Sequence, residues 1–147
     1  MVNVYDVAEF ILRKCGSMTA MKLQKLVYYC QAWSLVWDEK PLFPEKIEAW
    51  ANGPVVRELF DLHKGKFKVA STYGYGKPER LNETQKETIK AVLKYYCERS
   101  SQWLSDLTHM EDPWRKAREG MSEKERGDKV ISHASMIEYY SSLLPDS

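Results

Sequence analysis

The stretch Met21–Trp37, MKLQKLVYYCQAWSLVW, decides how the rest of the chain is arranged. Its first turn carries Lys22, Gln24 and Lys25, but from Leu26 onward nearly every side chain is apolar or aromatic, and only Gln31 and Ser34 are clearly polar. A helix that is apolar all round must be buried on all sides. Leu23, Leu26, Val27, Cys30, Trp33 and Trp37 recur at helical spacing, while Tyr28, Tyr29, Ala32, Leu35 and Val36 supply a second face that other elements must cover. At ~1.5 Å per residue such a helix is about 25 Å long, the width of a small domain. The expected fold is mainly α: one compact helical domain over residues 1–147, built around a buried central helix at about 19–37, with a small β-hairpin near 41–51 and no appended domain.

Upstream, Asn3 is placed to cap a helix over Val4–Lys14, and Gly16 to stop it; Thr19 then caps the central helix. Downstream, Asp38-Glu39-Lys40-Pro41 ends it, because proline disfavours helical geometry in the residue before it. Leu42-Phe43 and Ile47–Ala51 read as two extended pieces of a hairpin, and Asn52-Gly53-Pro54 as a turn whose proline opens a helix over Val55–His63. Residues 66–80, with Gly74, Gly76 and Pro78, read as a long surface loop. Asn82 with Gln85 makes a capping box for a helix that buries Ile89, Val92, Leu93 and Tyr96. Ser100 or Ser101 starts another helix. Asp112-Pro113 reads as an N-cap and first-turn proline, with Trp114 and Ala117 inward and Arg115, Lys116 and Arg118 outward. A charged linker, 122–129, leads to a last helix capped by Ser132.

Composition narrows the function. The chain is 44% hydrophobic and 29% charged with a formal net charge of +1, so it lacks the basic excess of a dedicated polyanion binder. Its three cysteines, Cys15, Cys30 and Cys97, form no C-x-x-C pair; the odd count without a signal peptide suits reduced thiols, with Cys30 and Cys97 as small buried hydrophobes. No apolar run reaches the roughly 18 residues of a membrane span, so a cytoplasmic protein without membrane contact is expected.

No nucleophile elbow, phosphate loop or zinc-binding motif is present, which argues against an enzyme and gives no catalytic residue, metal ligand or cofactor to assign. Thr108-His109-Met110-Glu111-Asp112 is the densest polar cluster and could be drawn as a base with carboxylates. A structural role fits better: Asp112 caps the next helix, Thr108 bonds nearby backbone and His109 fixes the junction between two helices. Lys64, Lys66 and Lys68 beside Tyr73 and Tyr75 could serve single-stranded nucleic acid, but a solvated or protein-binding loop is favoured. Five tryptophans and nine tyrosines suit a binding module, because aromatic side chains dominate interface hot spots.

Four stretches in order complete the reading: Met21–Tyr29; Pro41-Leu42-Phe43; Ile47–Val56, IEAWANGPVV; and Leu104–His109 with Asp112-Pro113-Trp114. Together they resemble the Panacea domain family, which includes phage-associated GepA-like proteins and SocA-type antitoxins. The likeness runs from about Val4 to Tyr140. It implies a mostly helical antitoxin that neutralises a cognate protein toxin by direct binding, as a homo-oligomer or in a toxin–antitoxin hetero-oligomer, with SocA-type members also delivering the toxin to a cytoplasmic ATP-dependent protease. The alternatives are a nucleic-acid-binding phage or prophage regulator and a phage protein that binds a host defence protein. The chain departs from the family at Asp38-Glu39-Lys40, where a glycine is common. Leu23, Leu26, Tyr28, Gly53, Pro54, Val55, Thr108, His109, Asp112, Pro113 and Trp114 read as structural members of the motifs. The expected partner-binding positions are Lys22, Gln24 and Lys25 on an exposed first turn, Trp50 and Asn52, and Lys66, Lys68, Tyr73 and Tyr75 in the loop.

Overall fold

Most of the helices pack on the central one, α2 below. The computed structural model describes residues 1–145. The chain runs α1 (Val4–Cys15), β1 (Met18–Thr19), α2 (Ala20–Trp37), β2 (Glu48–Trp50), β3 (Gly53–Val55), α3 (Arg57–Leu62), β4 (Lys68–Val69), a 3-10 turn (Pro78–Arg80), α4 (Glu83–Tyr96), α5 (Ser101–Met110), α6 (Asp112–Ala117) and α7 (His133–Ser141). Helices α1, α4, α5 and α7 surround α2. Leu23, Leu26, Val27, Tyr28, Tyr29, Cys30 and Ala32 are buried on all sides of it, as an apolar helix requires. No helix among the described residues is long and apolar enough to cross a membrane.

The helix starts follow the expected chemistry. Asn3 and Asp6 form a capping box, as do Asn82 and Gln85, while Thr19, Ser100 and Ser132 each accept a bond from the third residue of their helix. One cap differs. Glu111 occupies the N-cap position of α6 and Asp112 is its first residue, facing Arg115 and Lys116 at 3.7 and 3.8 Å. Glu111 cannot be dispensed to a cap bond, because its carboxylate is turned into the core.

The turn after α2 closes without a glycine: Glu39 itself takes the left-handed conformation, at φ 56°. Such a residue costs of order 1 kcal/mol.

The hairpin lies further along than expected. β2 pairs antiparallel with β3, Glu48 opposite Val55 and Trp50 opposite Gly53, so Pro54 belongs to a strand and the helix begins only at Arg57. Leu42 and Phe43 are not in the hairpin because Gln31 of α2 occupies their backbone: its Oε1 accepts from Leu42 N (2.7 Å) and Phe43 N (3.3 Å), and its Nε2 donates to Phe43 O (2.8 Å). Gln24 does the same to Val56, accepting from its N at 2.9 Å and donating to its O at 3.2 Å. A buried amide thus holds each segment as a neighbouring strand would.

Residues 66–80 are pinned rather than loose. β4 pairs with β1, Met18 opposite Val69. Two buried acids of α1 hold the rest: Glu9 accepts from Thr72 N and Oγ1, both at 2.8 Å, and Asp6 accepts from Lys77 N at 2.7 Å. Here the backbone passes so close to α1 that a Cβ on Gly76 would lie 2.1 Å from the Tyr5 carbonyl oxygen and 2.8 Å from Glu9 Cβ. Gly76→Ala is therefore expected to lower stability by about 2–3 kcal/mol, since one of two backbones must move. A denaturant midpoint unchanged from the parent would show that the loop yields without cost.

Cysteine pairing also differs from expectation. The ends of α1 and α4 come together and the sulfurs of Cys15 and Cys97 are bonded across 82 positions of sequence, leaving Cys30 as the buried thiol. Sequence spacing carries no sign of this pair, because only the packing of both helices around α2 brings them within reach.

Candidate functional site

The hairpin, α3 and the segment 122–129 enclose a groove of about 600 Å³. Its floor is Trp50 and Phe60, edge to face with ring centres 4.8 Å apart. Trp50 is fixed from below, where its indole N–H donates to Glu48 at 2.8 Å and its carbonyl accepts from the Trp114 indole at 2.8 Å. Two guanidinium groups lie over the same ring: Arg126 at 4.0 Å from the ring centre and Arg57 at 5.4 Å. Arg57 is held by Glu48 at 2.9 Å. The rim continues through Lys64, Lys66 and Lys124, with Asp61 as the acid among the lining residues.

The wall formed by 122–129 depends on Arg118. This residue was expected to face outward, yet it is 6% exposed. Its Nη1 donates to the carbonyls of Ala49 (2.8 Å) and Arg126 (3.1 Å), and its Nη2 to those of Ser122 (3.0 Å) and Glu125 (2.6 Å). The linker then bonds the hairpin directly, through Ala49 N to Lys129 O at 2.8 Å and Ala51 N to Arg126 O at 2.9 Å. A planar group with five donors suits such a ring of carbonyls.

Four of the expected partner-binding positions line this groove: Gln24, Trp50, Asn52 and Lys66. The others lie elsewhere. Lys22 is half-buried and donates to Cys97 O at 2.6 Å. Lys68 is exposed in β4, Tyr75 packs on Tyr5 with ring centres 5.5 Å apart, and Tyr73 stands 5.7 Å from His63. The first turn of α2 is not an exposed face: Gln24 is 5% exposed and committed to Val56, and Lys25 is fully buried. Arg57, Lys124 and Arg126 are not among the positions expected from sequence, Phe60 is expected there only as an inward-facing helix residue, and no local signal joins Arg126 to a tryptophan so distant in the chain.

Lys25 sits in unusual surroundings. Its ammonium has one distant acceptor among the described residues, Pro54 O at 3.4 Å, and burial pulls its pKa from the ordinary 10.5 down to about 7. Its stem also explains Gly53, where a Cβ would lie 2.4 Å from Lys25 Cε and the φ is +125°. Close by, His109 stacks on Trp114 at 4.1 Å across the α5–α6 junction, with Nε2 buried and lacking a hydrogen-bond partner among the described residues. Burial, and then the Lys25 charge, lower its pKa.

The acids of the same cluster are bonded to other groups than this imidazole. Glu111, 4% exposed, accepts from the hydroxyls of Tyr29 and Tyr140, each at 2.7 Å, and Tyr140 shares a 2.9 Å bond with Tyr28. Burial raises the Glu111 pKa against the opposing effect of the two tyrosine bonds. Thr108 donates to Ser105 O at 2.7 Å and Asp112 faces its own helix. The cluster ties α2, α5, α6 and α7 together.

Searches of curated proteins and of solved structures gave no match. A family model described as the antitoxin SocA-like Panacea domain matches residues 23–115, from the first turns of α2 into α6, and so takes in the hairpin and the groove floor but not Lys124 or Arg126. On that match the chain belongs to the SocA-like Panacea family of antitoxins.

Proposed function

We propose that this protein is an antitoxin that neutralises a cognate protein toxin by binding it directly, in the cytoplasm and as a single domain, rather than by catalysis. The antitoxin-family match over most of the core carries this reading. Two features support it. The Glu111 carboxylate, one of the acids that could have served a catalytic cluster, is spent on two core tyrosines, and a concave surface rimmed by basic side chains remains on the outside. Asn52 and Lys66 are exposed on that surface with Gln24 and Trp50 as its buried backing, and Lys68, Tyr73 and Tyr75 extend the contact along the neighbouring loop.

Inducible expression of the protein encoded beside this one, with and without this chain, tests the proposal. Growth arrest relieved together with a stoichiometric co-purifying complex is the expected result; a harmless neighbour with no retained partner would overturn it. The finer role of delivering the toxin to an ATP-dependent protease is read in the same cells. It predicts that the toxin's half-life shortens when this protein is present and recovers when the protease is removed.

A further inference from the structure

We propose that the groove takes an acidic segment of the partner toxin, its carboxylates paired with Arg126, Lys124, Lys64 and Lys66; this rests on the antitoxin reading above. Arg57 already has a carboxylate, Glu48 at 2.9 Å, whereas none of the other four rim cations has one within 4 Å among the described residues. Arg57, Lys64, Lys66, Lys124 and Arg126 line the groove against one lining acid, Asp61, with Glu48 close to Arg57 and Arg126, so in a chain of formal net charge only +1 this concavity keeps a local excess of positive charge. Arg126 gives that demand a geometry. One side of its guanidinium rests over Trp50 at 4.0 Å, and its backbone carbonyl is held by Ala51 N at 2.9 Å, so its donors are pre-positioned for a carboxylate fork.

The same arrangement favours a peptide over nucleic acid. Single-stranded nucleic acid is held by bases stacked on open aromatic faces. Trp50 is 8% exposed and covered by two guanidinium groups, and the exposed rings Phe67, Tyr73 and Tyr75 are not part of the groove lining. The site offers charge pairing without a stacking platform.

The test uses the full chain and a fluorescent peptide of alternating glutamate and leucine, its glutamine counterpart, and a labelled oligo-dT, at low ionic strength. The glutamate peptide is expected to bind and the glutamine peptide to bind at least about tenfold more weakly. The exposed pair Lys66→Glu and Lys124→Glu together should weaken the glutamate peptide by about tenfold or more with an unchanged thermal midpoint. Arg126→Met, which keeps an unbranched stem over Trp50, should act in the same direction. In cells the double variant should lose protection against the toxin. Tighter binding of oligo-dT than of the glutamate peptide, or equal binding of the two peptides, would overturn the inference. So would a double variant that protects as well as the parent, and in that case the antitoxin reading would stand with the toxin held elsewhere. A parent chain that fails to protect at all would remove the antitoxin reading itself.

Discussion

Lys25→Met is expected to make the protein more stable at neutral pH, by up to roughly 4 kcal/mol. Lys25 is fully buried with one acceptor at 3.4 Å, and its pKa falls from 10.5 to about 7 because the interior disfavours its charge. A change of that size corresponds to roughly 5 kcal/mol of penalty, from which the lost bond to Pro54 subtracts about 1 kcal/mol. The sign follows from proton binding. Below about pH 7 both folded and unfolded chains hold the proton and the penalty is fully present. From there to about pH 10.5 the unfolded chain keeps a proton that the folded one has released, so the parent gains stability as pH rises. Methionine carries no such linkage. The gap between variant and parent should therefore be widest at pH 7 and below, and close toward pH 10. Comparing the two proteins cancels the buried tyrosines, whose pKa values burial raises in both. Unbranched methionine also fits beside Gly53, where the Lys25 stem leaves no room for a Cβ. Removing the charge should in addition raise the His109 pKa, which nuclear magnetic resonance can follow. A variant less stable than the parent, or a gap that ignores pH, would show that the ammonium is satisfied where it lies.

The architecture was legible in sequence because it rests on local chemistry and on one unusual helix. Apolar residues all round α2 required a surrounding shell, and Asn3, Thr19, Asn82, Ser100 and Ser132 marked where its members begin. What escaped was set by side chains reaching across the fold. The few polar residues on α2 prove to be the devices that place the following chain: Gln24 fixes Val56, Gln31 fixes Leu42 and Phe43, and Ser34 donates to Lys40 O at 2.8 Å. No propensity reveals that an amide will replace a strand partner, so the hairpin was expected too early and α3 too long. Likewise, Lys25 reads as solvent-facing by residue type, because lysine is almost never buried without a counter-charge. The groove was half legible. Trp50 and Asn52 come from the family motif, while Lys124 and Arg126 belong to a segment whose mixed charge reads as a linker until Arg118 is seen to bind it.

That dependence sets the second large effect: Arg118→Ala is expected to cost roughly 3 kcal/mol in global stability and to release the 122–129 segment from the hairpin. The guanidinium donates to four carbonyls at 2.6 to 3.1 Å and stands 5.3 Å from the Trp114 ring centre, and no carboxylate lies within 4 Å of it among the described residues. Hydrogen bonds from a charged donor are worth about 1.5–3 kcal/mol each, but they do not add, since water satisfies the carbonyls once the segment opens. Amide exchange should report the release locally. Ala49 N and Ala51 N, bonded to Lys129 O and Arg126 O, should lose protection while amides in the middle of α2 change only with global stability. Lysine restores the charge but offers a compact ammonium in place of a planar fork, so Arg118→Lys should recover less than half of the loss. Because Arg126 is delivered to Trp50 by this segment, the alanine variant should also weaken capture of an acidic peptide while leaving Lys64 and Lys66 in place. If protection at Ala49 and Ala51 were unchanged, the hairpin and linker would be held by their own backbone bonds, and the groove would owe its shape to β2 rather than to Arg118.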